Sequence, residues 1–242
     1  MNRQDNTDAG SVRWAGAADT KALRLAAYRH ILDAATHAIE QHGRFLIVLA
    51  GGNTPRGVYR MLRFARTDWS RWQVYFGDER CLPADDAERN SRMAADAWLN
   101  HVPILKHQVH VIPAELGASA AALAYAQALC DIGDFDLVLL GLGEDGHTAS
   151  LFPGCDWGDS ENATDALAVF DAPKAPAQRV SLSASRLSRA HEVLFMVAGE
   201  SKRNAVRQWR MGADIPARAI QPKTGIDILV ESILLSTGVS EY

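Results

Sequence analysis

Phe45-Leu46-Ile47-Val48-Leu49-Ala50-Gly51-Gly52-Asn53-Thr54-Pro55 is the stretch on which the fold turns. Its first half is an unbroken apolar run. A run of that length reads as a strand buried on both faces, as in the interior of a parallel sheet. Two glycines then end the strand. Pro55 has no N–H to lose and a preset φ, so it suits the first position of a helix expected to reach Leu62.

Outward from this unit the same cycle repeats. Upstream, Asp19 or Thr20 can cap a helix running to Gln41. Leu23, Ala27, Ile31, Ala34, Ala35 and Ala38 share one of its faces, and Gly43 is its stop. Downstream, strands are expected at residues 74–76, 108–112 and 135–140, with helices at 90–99 and 118–130 between them. Further strands are expected at 166–170, 179–182, 193–197 and 226–230, and a helix at 200–209. Alternating strands and helices imply right-handed crossovers and a mostly parallel central sheet flanked by helices, a Rossmann-like α/β fold. Residues 1–18 read as a loosely ordered segment and 19–242 as one α/β domain. Residues 154–177, bounded by Pro153 and containing Pro173 and Pro176, read as a long surface excursion.

Hydrophobic residues make up 48% of the 242 positions and charged residues 22%, which is ordinary globular composition. The formal net charge of −4 argues against the basic face that non-specific nucleic-acid binding requires. It leaves room for a small basic pocket that takes an anionic metabolite. Cys81, Cys130 and Cys155 are widely spaced and odd in number, so neither a disulfide framework nor a CxxC metal site is available. The start of the chain is polar and lacks the apolar core of a signal peptide. No stretch approaches the roughly 18 apolar residues of a membrane helix. The reading is a soluble, cytoplasmic chain with no membrane or nucleic-acid partner.

Ligands of open parallel sheets bind beyond the carboxyl ends of the strands. Three expected strands end there in unusual turns. The first, Gly51-Gly52-Asn53-Thr54-Pro55, lets backbone N–H groups approach an anion at the start of a helix, and Asn53 and Thr54 can bind hydroxyls or phosphate. The second, Gly77-Asp78-Glu79-Arg80, can read as a solvated charge cluster. At a strand end, however, Arg80 matches phosphate geometry and Asp78 can hold a sugar hydroxyl, with Glu79 a weaker candidate. The third, Gly141-Leu142-Gly143-Glu144-Asp145-Gly146-His147-Thr148, is the sharpest. A positioned imidazole can take and return a proton near neutral pH. The other seven histidines read as helix-surface or loop residues. Arg179 and Lys202, taken alone, read as solvated charges. Lys202 follows a strand and Gly199, which points it to the same rim.

Together these segments resemble the 6-phosphogluconolactonase family. The resemblance is carried by residues 49–55, by Gly77-Asp78-Glu79-Arg80 with Pro83, Asp85 and Asn90, and by residues 141–153, which hold His147. It continues through Arg179-Val180-Ser181-Leu182 and Val197-Ala198-Gly199-Glu200-Ser201-Lys202. The family often has serines where Ala50 and Asn53 stand, and a tryptophan and an aspartate near residues 223–228. The resemblance implies the fold of glucosamine-6-phosphate deaminase and ribose-5-phosphate isomerase. It also implies hydrolysis of 6-phospho-D-glucono-1,5-lactone in the oxidative pentose phosphate pathway, with no cofactor and no catalytic metal, by a monomer or weak homo-oligomer.

On that reading His147 is the base that activates water, and Glu144 or Asp145 orients it or shapes its loop. Arg80, Arg179, Lys202 and the amides of Gly51 and Gly52 hold the phosphate. Amides of the 141–146 loop face the oxyanion. Two other readings compete with it. One is an amino-sugar-phosphate isomerase or deaminase on the same fold. The other is a non-catalytic sugar-phosphate sensor, which would need an appended DNA-binding unit.

Overall fold

The computed structural model describes residues 11–236. In chain order the elements are β1 (Val12–Ala17), α1 (Thr20–His42), β2 (Phe45–Leu49), α2 (Asn53–Leu62), β3 (Trp72–Phe76), β4 (Asp78–Arg80), α3 (Asn90–Ala97) and β5 (Val109–His110). They continue with α4 (Ala118–Leu129), β6 (Phe135–Gly141), β7 (Ala166–Val169), β8 (Arg179–Leu182), α5 (Ala184–Ser188), β9 (Ala190–Val197), α6 (Arg203–Arg210) and β10 (Ile226–Glu231).

β2 is buried at all five positions, as its apolar run requires. Burying each such side chain contributes about 1.5–3 kcal/mol. The strand sits inside a seven-stranded sheet of order β1-β10-β9-β6-β2-β3-β5, in which every neighbouring pair is parallel. The chain leaves β2 toward β3 and leaves β6 toward β9, so the direction of winding reverses between β2 and β6. At such a reversal the connections part and open a crevice above the strand ends.

α1 follows its sequence signals closely. The Asp19 carboxylate accepts from the Ala22 N–H at 2.7 Å, and Gly43 in the left-handed region (φ 77°) returns its N–H to Ile39 O. The six residues expected on its inner face are all buried. The helix packs on α2 and across β6, β10 and β1. α2 begins at Asn53, two residues before the expected Pro55, with Gly52 as an N-cap that has no capping side chain.

Several expectations need correction. Residues 12–17, expected to be loose, form edge strand β1, paired with β10 from Val12↔Ile226 to Ala17↔Glu231. Its positions are mostly exposed, so it carries little hydrophobic signal of its own. The remainder of that expected segment, residues 1–10, lies outside the described residues. The strand at 108–112 shortens to β5, flanked by 3-10 turns at Lys106–Gln108 and Ala114–Leu116. The last helical segment opens with a 3-10 turn (Glu200–Lys202) before α6.

The largest departure concerns Asp78-Glu79-Arg80. These residues are not a free turn but the short strand β4. It pairs antiparallel with β8, and β8 with β7, in a separate three-stranded sheet that packs on α4. The strands at 166–169 and 179–182 therefore belong to this second sheet rather than to the parallel one. The Leu182 N–H donates to Gly77 O at 2.7 Å and fastens the small sheet to the end of β3.

Candidate active site

A cavity of about 500 Å³ opens above the carboxyl ends of β2, β3, β6 and β9, at the β2/β6 reversal. All three expected turns reach it, with Gly51, Gly52, Asn53, Thr54, Asp78, Arg80 and His147 in its wall, and Arg179 and Lys202 join them. Glu144 and Asp145 do not line it.

The 141–148 loop is folded by its own hydrogen bonds. The Gly143 N–H donates to His147 O at 2.7 Å and the Gly146 N–H to Gly143 O at 3.2 Å, while Thr148 Oγ1 donates to Gly141 O at 2.9 Å. These bonds use up the amides of Gly143 and Gly146. The expectation that the loop's amides face an oxyanion is thereby corrected for these two. Glycine is required at both positions for different reasons. A Cβ at 143 would fall inside the His147 imidazole. Gly146 has φ 86°, and a Cβ there would lie 2.8 Å from the Ile215 side chain. Ala149, in the cavity wall, takes φ 47°, a strained conformation for a residue with a Cβ.

His147 Nδ1 lies 2.5 Å from Asp145 Oδ1, which also accepts the His147 backbone N–H at 3.2 Å. A carboxylate only accepts, so in the neutral imidazole that contact places the proton on Nδ1 and the lone pair on Nε2. Partial burial pushes the Asp145 carboxyl up. The hydrogen bonds from the His147 backbone and ring outweigh it and hold the group below the usual carboxylate range. The Phe152 ring flanks the imidazole at 4.8 Å between centroids, and its other neighbour is the Arg179 guanidinium, 5.7 Å from its centre.

The rest of the wall is rich in cations. In the β4–β8 register Arg80 stands directly across from Arg179. Like charges opposed on a strand pair repel, which is tolerated where an anion joins them. Arg80 Nη1 donates to Glu88 O at 2.6 Å, and its buried Nε has no partner among the described residues. Arg179 Nε donates to Pro176 O at 3.1 Å and Nη2 to Lys174 O at 2.9 Å. Burial lowers the Arg179 guanidinium from its usual value. Lys202 is lowered too, first by burial, with the charge of Lys174 adding to it and those of Glu144 and Asp145 opposing.

Asp78 is buried, and burial raises its carboxyl above the usual range. The hydrogen bond from Ser150 and the charges of Arg179 and Arg80 pull it back only in part. Ser150 Oγ donates to its Oδ2 at 2.6 Å and Asn90 Nδ2 to its Oδ1 at 2.9 Å. The Asn90 amide occupies the space a Cβ at Gly51 would need, so the glycine turn and the Asp78 strand meet through this asparagine. Glu79 is fully buried. It accepts from the N–H groups of Asn90 (2.7 Å) and Ser91 (2.8 Å), so it caps α3 and faces buried Arg89 rather than ligand.

Lys174 and Phe152 also line the cavity, and neither was singled out as a candidate in the sequence. The Phe152 ring gives no polar signal. Lys174 is an exposed lysine between prolines. Among the described residues, no group of three or more His, Cys, Asp or Glu is placed to hold a metal, and no helix is long and apolar enough to cross a membrane.

The family model described as "Glucosamine-6-phosphate isomerases/6-phosphogluconolactonase" matches residues 18–229. A 6-phosphogluconolactonase of Mycobacterium leprae is 38% identical over 216 residues, covering 82% of this chain and 87% of the relative. The structure of 6-phosphogluconolactonase from Thermotoga maritima superposes with a TM-score of 0.83 at 25% identity, covering 91% of this chain and all (100%) of the other. A monomeric glucosamine-6-phosphate deaminase shares the fold with a TM-score of 0.76 at 21% identity, covering 93% and 98% of the two chains. The chain belongs to the glucosamine-6-phosphate isomerase/6-phosphogluconolactonase family.

Proposed function

We propose that the cavity hydrolyses 6-phospho-D-glucono-1,5-lactone to 6-phospho-D-gluconate, the second step of the oxidative pentose phosphate pathway. The observation that carries this reading is the imidazole of His147, its Nδ1 fixed by Asp145, set in one cavity with Arg80, Arg179 and Lys202. The names of the relatives point the same way.

In this mechanism His147 Nε2 takes a proton from water as the oxygen attacks the lactone C1. The tetrahedral intermediate collapses with cleavage of the bond from C1 to the ring oxygen. The imidazolium returns its proton to that oxygen, giving the C5 hydroxyl and a C1 carboxyl group, which ionises. Asp145 remains a carboxylate and stabilises the transient imidazolium, while Glu144 takes no part in the chemistry. General-base catalysis of this kind supplies about 10²–10⁴-fold. Arg80, Arg179 and Lys202 hold the phosphate, with the amides of Gly51 and Gly52 and the start of α2 at Asn53 and Thr54. Asp78, held by Ser150 and Asn90, accepts a sugar hydroxyl. The steps use side chains, backbone and water alone, and the protein works in the cytoplasm as a monomer or weak homo-oligomer without membrane or nucleic-acid partners.

The test is an assay of the wild-type protein on three compounds. The reading expects rapid opening of 6-phosphogluconolactone and much slower opening of unphosphorylated gluconolactone. Ammonia release from glucosamine 6-phosphate without lactone opening would overturn it.

A further inference from the structure

We infer that Lys174 is a specificity-determining residue: with Lys202 it forms a two-lysine clamp on the substrate phosphate, held in place by Arg179. The inference rests on the lactonase reading and adds a residue from the 154–177 segment, which in the sequence reads as a surface excursion.

Three observations carry it. Lys174 lies in the cavity wall, on the same cavity as Arg80, Arg179 and Lys202. Both lysines line that cavity, and the charge of Lys174 adds to burial in lowering Lys202, so the two ammonium groups face one ligand space. Convergent like charges cost free energy in the empty protein, and a phosphate dianion placed between them removes that cost. Third, the Arg179 side chain is spent on this segment. Its Nε and Nη2 are tied to the carbonyls of Pro176 and Lys174, with a longer contact of 3.5 Å to Ala175 O. A buried guanidinium that donates to successive carbonyls fixes the backbone carrying them. Arg179 thus has two tasks: Nε and Nη2 present Lys174 to the cavity, and Nη1, outside those bonds, is left for the phosphate.

The clamp also separates ligand classes. Two flexible ammonium groups recognise a compact dianion as point charges, whereas the hydroxyls and carbonyl of the sugar ring give them little. The loss of Lys174 therefore falls on the phosphorylated lactone alone.

The test uses Lys174→Gln at an exposed position, with thermal melting to check that the variant is folded. The expected result is about a tenfold rise in KM for 6-phosphogluconolactone and in Kd for inorganic phosphate by calorimetry, with kcat within about twofold. Opening of unphosphorylated gluconolactone stays at the wild-type rate. Lys174→Arg restores most of the affinity. In the Arg179→Gln/Lys174→Gln double variant the KM effects are less than multiplicative, because Arg179 acts in part through Lys174. Unchanged phosphate affinity in Lys174→Gln would overturn the inference while leaving the lactonase reading intact. Weakened phosphate binding in Lys174→Gln, together with a wild-type protein that opens no lactone, would keep the clamp and overturn the lactonase reading.

Discussion

The two walls of the cavity are built in different ways. The base wall is a single loop at the end of β6 in the parallel sheet. It is closed by its own hydrogen bonds, and Gly143 lets the imidazole lie against the backbone while Gly146 turns the chain beside Ile215. The cationic wall is assembled from distant pieces, with Arg80 and Arg179 meeting across antiparallel strands and Lys174 and Lys202 arriving from separate loops. A local wall suits chemistry, since a proton-transfer group must keep its geometry. A composite wall suits recognition, since charge from several elements can surround a dianion.

The comparison makes graded predictions. The largest effect falls on the base wall: His147→Gln lowers kcat about 10²–10⁴-fold with KM little changed, read by lactone opening corrected for the spontaneous reaction. Asp145→Asn comes next. It disturbs the Nδ1 partner and lowers kcat about tenfold or more, again with little change in KM. On the other wall Arg80→Gln raises KM for the phosphorylated lactone about tenfold while kcat stays within a few-fold; a pure kcat effect would move Arg80 into the chemistry. A pH profile gives a subtler effect. Burial lowers Lys202, so as pH rises its charge is lost before that of an ordinary lysine. KM for the phosphorylated lactone therefore rises on the alkaline side, and Lys202→Arg moves that rise to higher pH. The smallest effect is at Glu144→Gln, within about threefold on every parameter, since Glu144 does not line the cavity and acts there through its charge on Lys202.

The two walls also differ in how far the sequence displays them. The β2 run, the capped α1 and the glycine-rich histidine loop are local patterns, and each lies where its residues place it. Asp145, rather than its neighbour Glu144, holds the imidazole through a contact two residues along the chain, which a list of residue types does not distinguish. The cationic wall depends on pairing between segments far apart. Asp78-Glu79-Arg80 has no apolar alternation to mark a strand, and only its ladder with β8 makes it one. For the same reason nothing near Glu79 shows that it caps α3, and nothing near Lys174 shows that Arg179 holds its backbone. Edge strand β1 escapes notice because most of its side chains are exposed and its order comes from β10.

The division of labour between the walls is tested most directly by one ratio: kcat/KM on 6-phosphogluconolactone over kcat/KM on gluconolactone, in wild type, His147→Gln and Arg80→Gln. The expected ratio is unchanged in His147→Gln, where both reactions lose the base equally, and falls about tenfold in Arg80→Gln, where only the phosphorylated substrate loses a partner. A ratio that moves in His147→Gln as much as in Arg80→Gln, or that stays constant in Arg80→Gln, would contradict that division of labour.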